Sequence, residues 1–381
     1  FKSLLVAPAT IGLLAPFSTF AGEANLNDIS KYSNLEHLDL ANAFVNDEPN
    51  HNSLLAGGEG LIDSDSHDGG FSETTTASFS ADALLGAIDG DATTEAAVFE
   101  YQFNIGLSTS FTGEDSLDIA IDSGSDAAAT TTNPMAYDTG AALSVDGVAY
   151  SFPLGGVSMV VGNDTDISAS FTGACSYSAF TDYAGDCGTG NSSGVGGNGV
   201  TVTGGYAFDS GFSIAAGLSS EATSIDATSG ATVSNGILTK EGSDIYGIEA
   251  AYTADSWGLA VAYVSDDKAT ADETTFWGIN GTYSFDLADV SVGYETEETS
   301  GEDKSGYFVG ITFPEVGPGS VSIAAATAGN YADDATELML YEASYSYPVN
   351  DSLTITPGVF IAEQDGTDDL TGVLVTSSFS F

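Results

Sequence analysis

The sequence predicts an all-β fold, a transmembrane antiparallel β-barrel of about sixteen strands with short periplasmic turns and long extracellular loops. Three observations predict it. Apolar and polar residues alternate with a period of two, over segments near the ~9–11 residues a tilted strand needs to cross a bilayer. Short and long connections alternate between those segments. The apolar side of the pattern is rich in Tyr, Phe and Trp, while the other side is Gly, Ala, Ser, Thr and acid, too small and polar for a packed interior. A soluble sandwich would instead bury its apolar faces between two sheets and has no reason to sort its connections by length.

The first element is a leader. FKSLLVAPATIGLLAPFSTFAGEAN puts Lys2 ahead of an apolar run that ends at Thr19-Phe20-Ala21, the layout of a secretory signal peptide over residues 1–21. Pro8 and Pro16 interrupt a run already short for a spanning helix. Residues 22–70 read as an acidic N-terminal periplasmic segment and linker. Within it, Leu35, Leu38, Leu40 and Phe44 fall near one side of a short amphipathic helix. DSDSHDGG spells the opening of a calcium loop, but Asp68 stands where the sharp turn needs Gly, and Thr74 stands where the bidentate Glu belongs. It reads as solvated linker, and no metal or cofactor is expected.

From residue 71 to residue 381 the chain is barrel. In VFEYQFNIGLSTSF, Phe99, Tyr101, Phe103, Ile105 and Leu107 point one way, and Glu100, Gln102, Asn104, Gly106 and Ser108 the other. Comparable segments centre near residues 78, 103, 119, 147, 160, 204, 215, 248, 261, 279, 293, 308, 323, 341, 356 and 376. FDSG (208–211), TADS (253–256), FDLAD (285–289) and YPVND (347–351) are tight turns. Between them come longer Asp/Gly/Thr-rich loops around 124–138, 163–198, 219–242 and 328–335. At the end, Val373, Val375, Phe379 and Phe381 share a face; as the closing strand it removes the sheet's free edges, and Leu374 on the opposite face is unexplained.

Charge excludes whole classes. Five basic residues, all lysine, stand against 55 acidic ones, a formal charge of -50. A nucleic-acid binder needs a basic footprint, so no nucleic-acid partner is expected. Disordered acidic chains are poor in aromatics, whereas this one has 17 Tyr and 21 Phe. GNSSG (190–194) spells a nucleophile elbow, but no helical pattern follows Ser192 and no histidine occurs after His67. GVGGNG (194–199) spells a dinucleotide fingerprint but leads into the strand VTVTGGY. Neither carries chemistry, and no enzyme is expected. The two cysteines, Cys175 and Cys187, read as a disulfide in an exported protein.

FSETTTASFSADALLG, FEYQFNIGLSTSFTGEDSLDIAIDSG, LSVDGVAYSFPLGGVSMVVG and YTADSWGLAVAY together resemble cyanobacterial outer-membrane porins grouped with the carbohydrate-selective and iron-uptake porins. The shared motifs are an aromatic strand entering the turn Thr109–Glu114 and the strand Tyr150–Pro153. The resemblance implies a sixteen-stranded barrel in the cell outer membrane, surrounded by lipid, through which small hydrophilic solutes diffuse, with ions, sugars and iron species as candidates. It also implies an aromatic-terminated last strand, here Phe379 and Phe381, that the barrel-assembly machinery recognises. A homotrimer is an option it leaves open. Residues 22–70 are too short for the S-layer-homology domain of many relatives, and without arginine the family's sugar-binding ladder has no counterpart.

The alternation turns Glu100, Asp118, Asp122, Glu249, Glu295 and Glu342 toward the lumen, where unpaired carboxylates in water favour cations over anions. The connection from Gly162 to Gly199 is the third long loop. By analogy with porins it enters the lumen as a constriction lined by Asp164, Asp166, Asp182 and Asp186; a disulfide-stapled surface loop reads equally well.

Overall fold

Alternation leaves each strand one apolar and one polar face, so edge-to-edge pairing satisfies the backbone while keeping the two faces apart. A computed structural model describes residues 75–90, 96–125, 137, 140–181, 184, 199–220, 223–225, 232–234, 237–238, 243–267, 273–332 and 334–381. The expected leader, the segment 22–70 and both decoy motifs up to residue 198 lie outside them.

Sixteen strands make the barrel. They are β1 (Thr75–Asp89), β2 (Ala96–Thr109), β3 (Ser116–Gly124), β4 (Ser144–Leu154), β5 (Val157–Asn163), β6 (Val200–Ala207), β7 (Phe212–Ser220) and β8 (Asp244–Thr253). The second half is β9 (Trp257–Asp267), β10 (Thr274–Ser284), β11 (Asp289–Thr299), β12 (Glu302–Val316), β13 (Gly319–Thr327), β14 (Met339–Asn350), β15 (Leu353–Ala362) and β16 (Leu370–Ser380). Each pairs antiparallel with its sequence neighbours, and β16 returns to β1 with Ser80 opposite Ser380 and Asp89 opposite Thr371. The sheet therefore closes with no free edge. The sixteen expected segment centres fall in sixteen different strands. A small hairpin, Thr223–Ile225 with Thr232–Ser234, and the short strand Tyr331–Ala332 add to the loop end.

The expected alternation of lengths fails twice: the β1–β2 and β2–β3 connections are both six residues long, and the β11–β12 connection is shorter still. At the loop end, β11 and β12 are joined by Ser300 and Gly301 alone, with Gly301 at φ 89°. A positive φ suits glycine and lets a two-residue hairpin follow the strand twist. Longer strands replace a loop here: β12 has 15 residues, against 7 in β5.

The outer face is apolar along its length: Leu85, Ile214, Ile248, Val309 and Val373 are all exposed there. Aromatics ring it at two levels. Tyr246 and Tyr252, Trp257 and Tyr263, Trp277 and Tyr283, Tyr307 and Phe313, and Tyr341 and Tyr347 each lie six residues apart on one strand. Six residues span about 20 Å of strand.

The inner face corrects one expectation. Leu84, Ile88, Phe308, Leu340, Phe360, Leu370 and Leu374 project inward and pack with Phe180 and Ala184 into a dry cluster. Part of the interior is thus a packed core. Leu374, 1% exposed, is explained by it.

Candidate functional site

After β5 the chain turns back into the barrel. Asp164 takes a left-handed backbone (φ 57°), and Asp166 caps the 3-10 turn Ile167–Ser170, accepting from Ser168 N at 2.8 Å. Ile167 is fully buried against Ile245, Val264 and Phe276 of β8, β9 and β10. Thr203 Oγ1 of β6 donates to Ile167 O at 3.2 Å.

From there the segment follows the inner wall strand by strand. Thr172 N and Gly173 N donate to the two oxygens of Glu249 on β8. Ala174 N donates to Asn280 Oδ1 on β10 at 2.8 Å, and Ser176 N to Ser291 Oγ on β11 at 3.1 Å. The Tyr177 hydroxyl and Phe180 N both donate to Glu342 Oε1 on β14 at 2.8 Å. Thr181 donates to Glu342 Oε2 through N at 2.7 Å and through Oγ1 at 2.6 Å. Beyond its 3-10 turn the loop thereby satisfies amides on side chains of the wall.

The structure corrects three of the six expected pore-lining acids: Glu249 and Glu342 beneath this segment, and Glu100, buried on β2. Glu249 and Glu342 face inward but are 4% and 3% exposed beneath the segment, so they hold a loop instead of meeting solvent. Asp166 is likewise corrected as a constriction residue, because its carboxylate turns back onto its own 3-10 turn. Asp164 is exposed where the segment begins. Asp182, Asp186 and Cys187 lie outside the described residues; Cys175 is disulfide-bonded. Glu295 is half-buried on β11, and Glu100 is 7% exposed on β2. Phe379 and Phe381 sit on the outer face, 40% and 71% exposed.

On β1 and β2 the segment's apolar cluster covers Leu84, Ile88 and Val98, while the inner wall around Asp82, Asp118 and Asp122 is half-open. That wall is hydrophilic and acidic. Gln102 Nε2 donates to Asp82 Oδ2 at 2.9 Å, Ser116 Oγ to Asp118 Oδ1 at 2.8 Å, and Ser144 Oγ to Asp122 Oδ1 at 3.2 Å. Ser108 and Ser116 hydroxyls share a 3.0 Å bond. From Ile167 to Thr181 the exposed residues are Ala169, Thr172, Ser176, Ser178 and Ala179, none of them charged. Among the described residues the one lysine, Lys304, is bound to Glu297 at 3.2 Å near the loop end of β11 and β12. The aromatics that project inward from the wall, Phe276, Phe308 and Phe360, are 5%, 2% and 1% exposed.

Sequence reasoning missed Asp82. Its signal was present, since Ser78, Ser80 and Asp82 alternate with Phe79, Ala81 and Ala83 in ASFSADALL. The anchoring role of Glu249 and Glu342 had no local signal, because their partners lie 76 or more residues away.

No protein-family model matches the sequence, and no curated protein matches it either. Solved porins share the fold. The high-pH structure of Pseudomonas putida OprB superposes with a TM-score of 0.61 at 11% identity, over 81% of this chain and 94% of that one. A mutant of Rh. blastica porin does so with a TM-score of 0.52 at 14% identity, over 81% of this chain and 100% of that one.

Proposed function

We propose that this chain is an outer-membrane porin, a channel for passive diffusion of small hydrophilic solutes that favours cations over anions. The observation that carries the reading is the division of the barrel wall: an apolar outer face between two aromatic levels, and an acidic, hydroxyl-rich patch of inner wall around Asp82, Asp118 and Asp122. The first suits hydrocarbon flanked by interfacial rings, and the second suits water and cations.

Ions fit this lumen better than sugars do. A sugar path needs exposed aromatic faces, and Phe276, Phe308 and Phe360 are buried. Likeness to the carbohydrate-selective and iron-uptake porins therefore points, for this chain, to its ion-conducting side. The same reading carries export through residues 1–21, a periplasmic segment at 22–70 and assembly through Phe379 and Phe381.

The dry cluster around Leu374 favours one second reading, a barrel of adhesive or structural role whose lumen does not conduct. Purified protein in planar bilayers decides between them. The porin reading expects open, ohmic current with cation-selective reversal potentials; a silent barrel that is demonstrably inserted would reject it.

A further inference from the structure

Where β13 ends, the chain folds back along β12. Thr327 is the last residue of β13, Gly329 takes a positive φ of 121°, and Tyr331 and Ala332 then pair with Ser305 and Lys304 of β12. Ala328 N donates to Leu338 O at 2.9 Å, and the Tyr331 hydroxyl to Ala328 O at 3.2 Å. These bonds fix the turn by itself.

Three oxygens of that turn converge over Gly306 of β12. A Cβ on Gly306 would stand 2.9 Å from Thr327 Oγ1 and 3.1 Å from Gly329 O, and closer still to Asn330 Oδ1. Gly306 has no positive φ, so its own backbone does not call for glycine; the close approach of the oxygens does. Oxygens gathered in this way repel one another unless a donor or a cation lies among them. Thr327 Oγ1 accepts from Tyr307 N at 3.0 Å. Asn330 Oδ1 is buried and accepts no hydrogen bond, a cost that a bound cation would recover.

A carboxylate faces the same spot. Glu295 of β11 stands directly opposite Gly306 on the inner face, where facing Cβ positions lie about 5 Å apart. Its other neighbour in the register, on β10, is Gly278, so glycine flanks Glu295 on both sides. Glu295, Gly306, Thr327 and Gly329 line one cavity of about 20 Å³, the room of a single water or ion. Lys304 is bound to Glu297 at 3.2 Å and lies 3.9 Å from Glu302, so the neighbourhood keeps a net negative charge.

We propose that this niche is a Ca²⁺ site, with Glu295 as its charged ligand and Asn330 Oδ1, Gly329 O and Thr327 Oγ1 as neutral ones. All four donors are oxygen, the ligand type of a hard cation. Ca²⁺ accepts irregular shells of about six to eight oxygens, water completing the set, whereas Mg²⁺ demands near-ideal octahedral geometry. A single carboxylate places the affinity among weak extracellular sites, Kd about 0.1–1 mM. The ion joins β11 and β12 to the connection between β13 and β14. Sequence conceals the site, because three of its four donors are not acids. It stands whether or not the barrel conducts.

Calorimetric titration of Ca²⁺ into the refolded, micelle-held full chain, stripped by chelator, tests the site. With 55 acidic residues the chain also collects Ca²⁺ diffusely, so variants and not total binding give the reading. The wild type should show one resolved site, with Mg²⁺ at least about tenfold weaker. Glu295→Gln and Asn330→Ala should each weaken it at least about tenfold, and Gly306→Ala, which fills the niche with a methyl, should abolish it. Asn330→Asp adds a second carboxylate and should tighten it about tenfold, a gain that a purely structural asparagine would not give. Ca²⁺ at about 10 mM should raise the unfolding temperature of the wild type and of Asn330→Asp more than that of Glu295→Gln.

An Asn330 amide turned over, with its nitrogen donating to the same oxygens, would close the niche without an ion. The wild type would then bind no Ca²⁺ above the diffuse background, and Asn330→Asp would bring no gain. Either result overturns the proposal, as does equal binding by the wild type and Glu295→Gln. If Gly306→Ala fails to assemble, the two Asn330 variants, at a turn outside the strands, decide.

Discussion

The Tyr150 hydroxyl donates to Asp115 Oδ2 at 2.6 Å, tying β4 to the turn between β2 and β3. The other oxygen accepts from Thr112 N at 2.7 Å, Phe111 N at 2.9 Å, Thr112 Oγ1 at 2.8 Å and Ser110 Oγ at 2.9 Å. One carboxylate organises the whole turn, and each donor favours its charged form. Tyr150 first, then the Thr112 and Ser110 groups, hold Asp115 well below the usual carboxylate range.

A pH-dependent stability follows from that depression. A carboxyl whose folded pKa lies below its unfolded value, about 3.9, stabilises fully above that value and loses the contribution as pH falls toward the folded pKa. Asp115→Asn should therefore lower the unfolding temperature at pH 7, with the gap to the wild type narrowing below about pH 4. Thermal melts across pH 2 to 7 check this, and a gap that ignores pH removes the charge from the account.

The lumenal cluster makes a second expectation quantitative. Leu374→Ala truncates a fully buried side chain and should destabilise the barrel by about 2–5 kcal/mol, depending on how far the cluster collapses. Val373→Ala, on the exposed outer face of the same strand, should cost clearly less in detergent. Urea unfolding of both variants compares them; equal losses would argue against a packed inner core.

Selectivity should follow the half-open wall. A unit charge about 8 Å from an ion in water is worth about 0.5 kcal/mol, about twofold in local concentration. Converting Asp82, Asp118 and Asp122 together to Asn should shift the reversal potential in a salt gradient toward that of a non-selective pore. The shift should fade near 1 M salt, where screening shortens to about 3 Å. Unchanged potentials at low salt would dismiss these residues as the source of cation preference.

The closing strand sets a last expectation. Phe79 N donates to Phe381 O and Phe381 N to Phe79 O, both at 3.0 Å, and the two rings stack at 6.1 Å. Deleting Phe379 to Phe381 should cut the amount of assembled barrel several-fold while leaving the reversal potential of the surviving fraction unchanged. Normal assembly of the truncated chain would count against an assembly role for this end.

What could be read without the structure depended on range. Period-two alternation is local, so it located sixteen strands from residue 78 to residue 376 and told inward Asp118 and Asp122 from outward Ile119 and Ile121. The same rule left Leu374 unexplained, because alternation says which side a residue faces and nothing about what it meets there. It put Glu249 and Glu342 on the inner face and could not foresee their burial, since their partners, Thr172 to Thr181, belong to a loop with no periodicity at all. Sequence by itself determined a closed sheet with one apolar and one acidic face, because strand geometry ties facing to parity. Only the tertiary structure decided which acids stay open to the lumen, because the loop covers Glu249 and Glu342 and leaves Asp82, Asp118 and Asp122 half-open. That choice is made by contacts between residues far apart in the chain, through buried carboxylates that look, in sequence, like any other acidic residue of a strand.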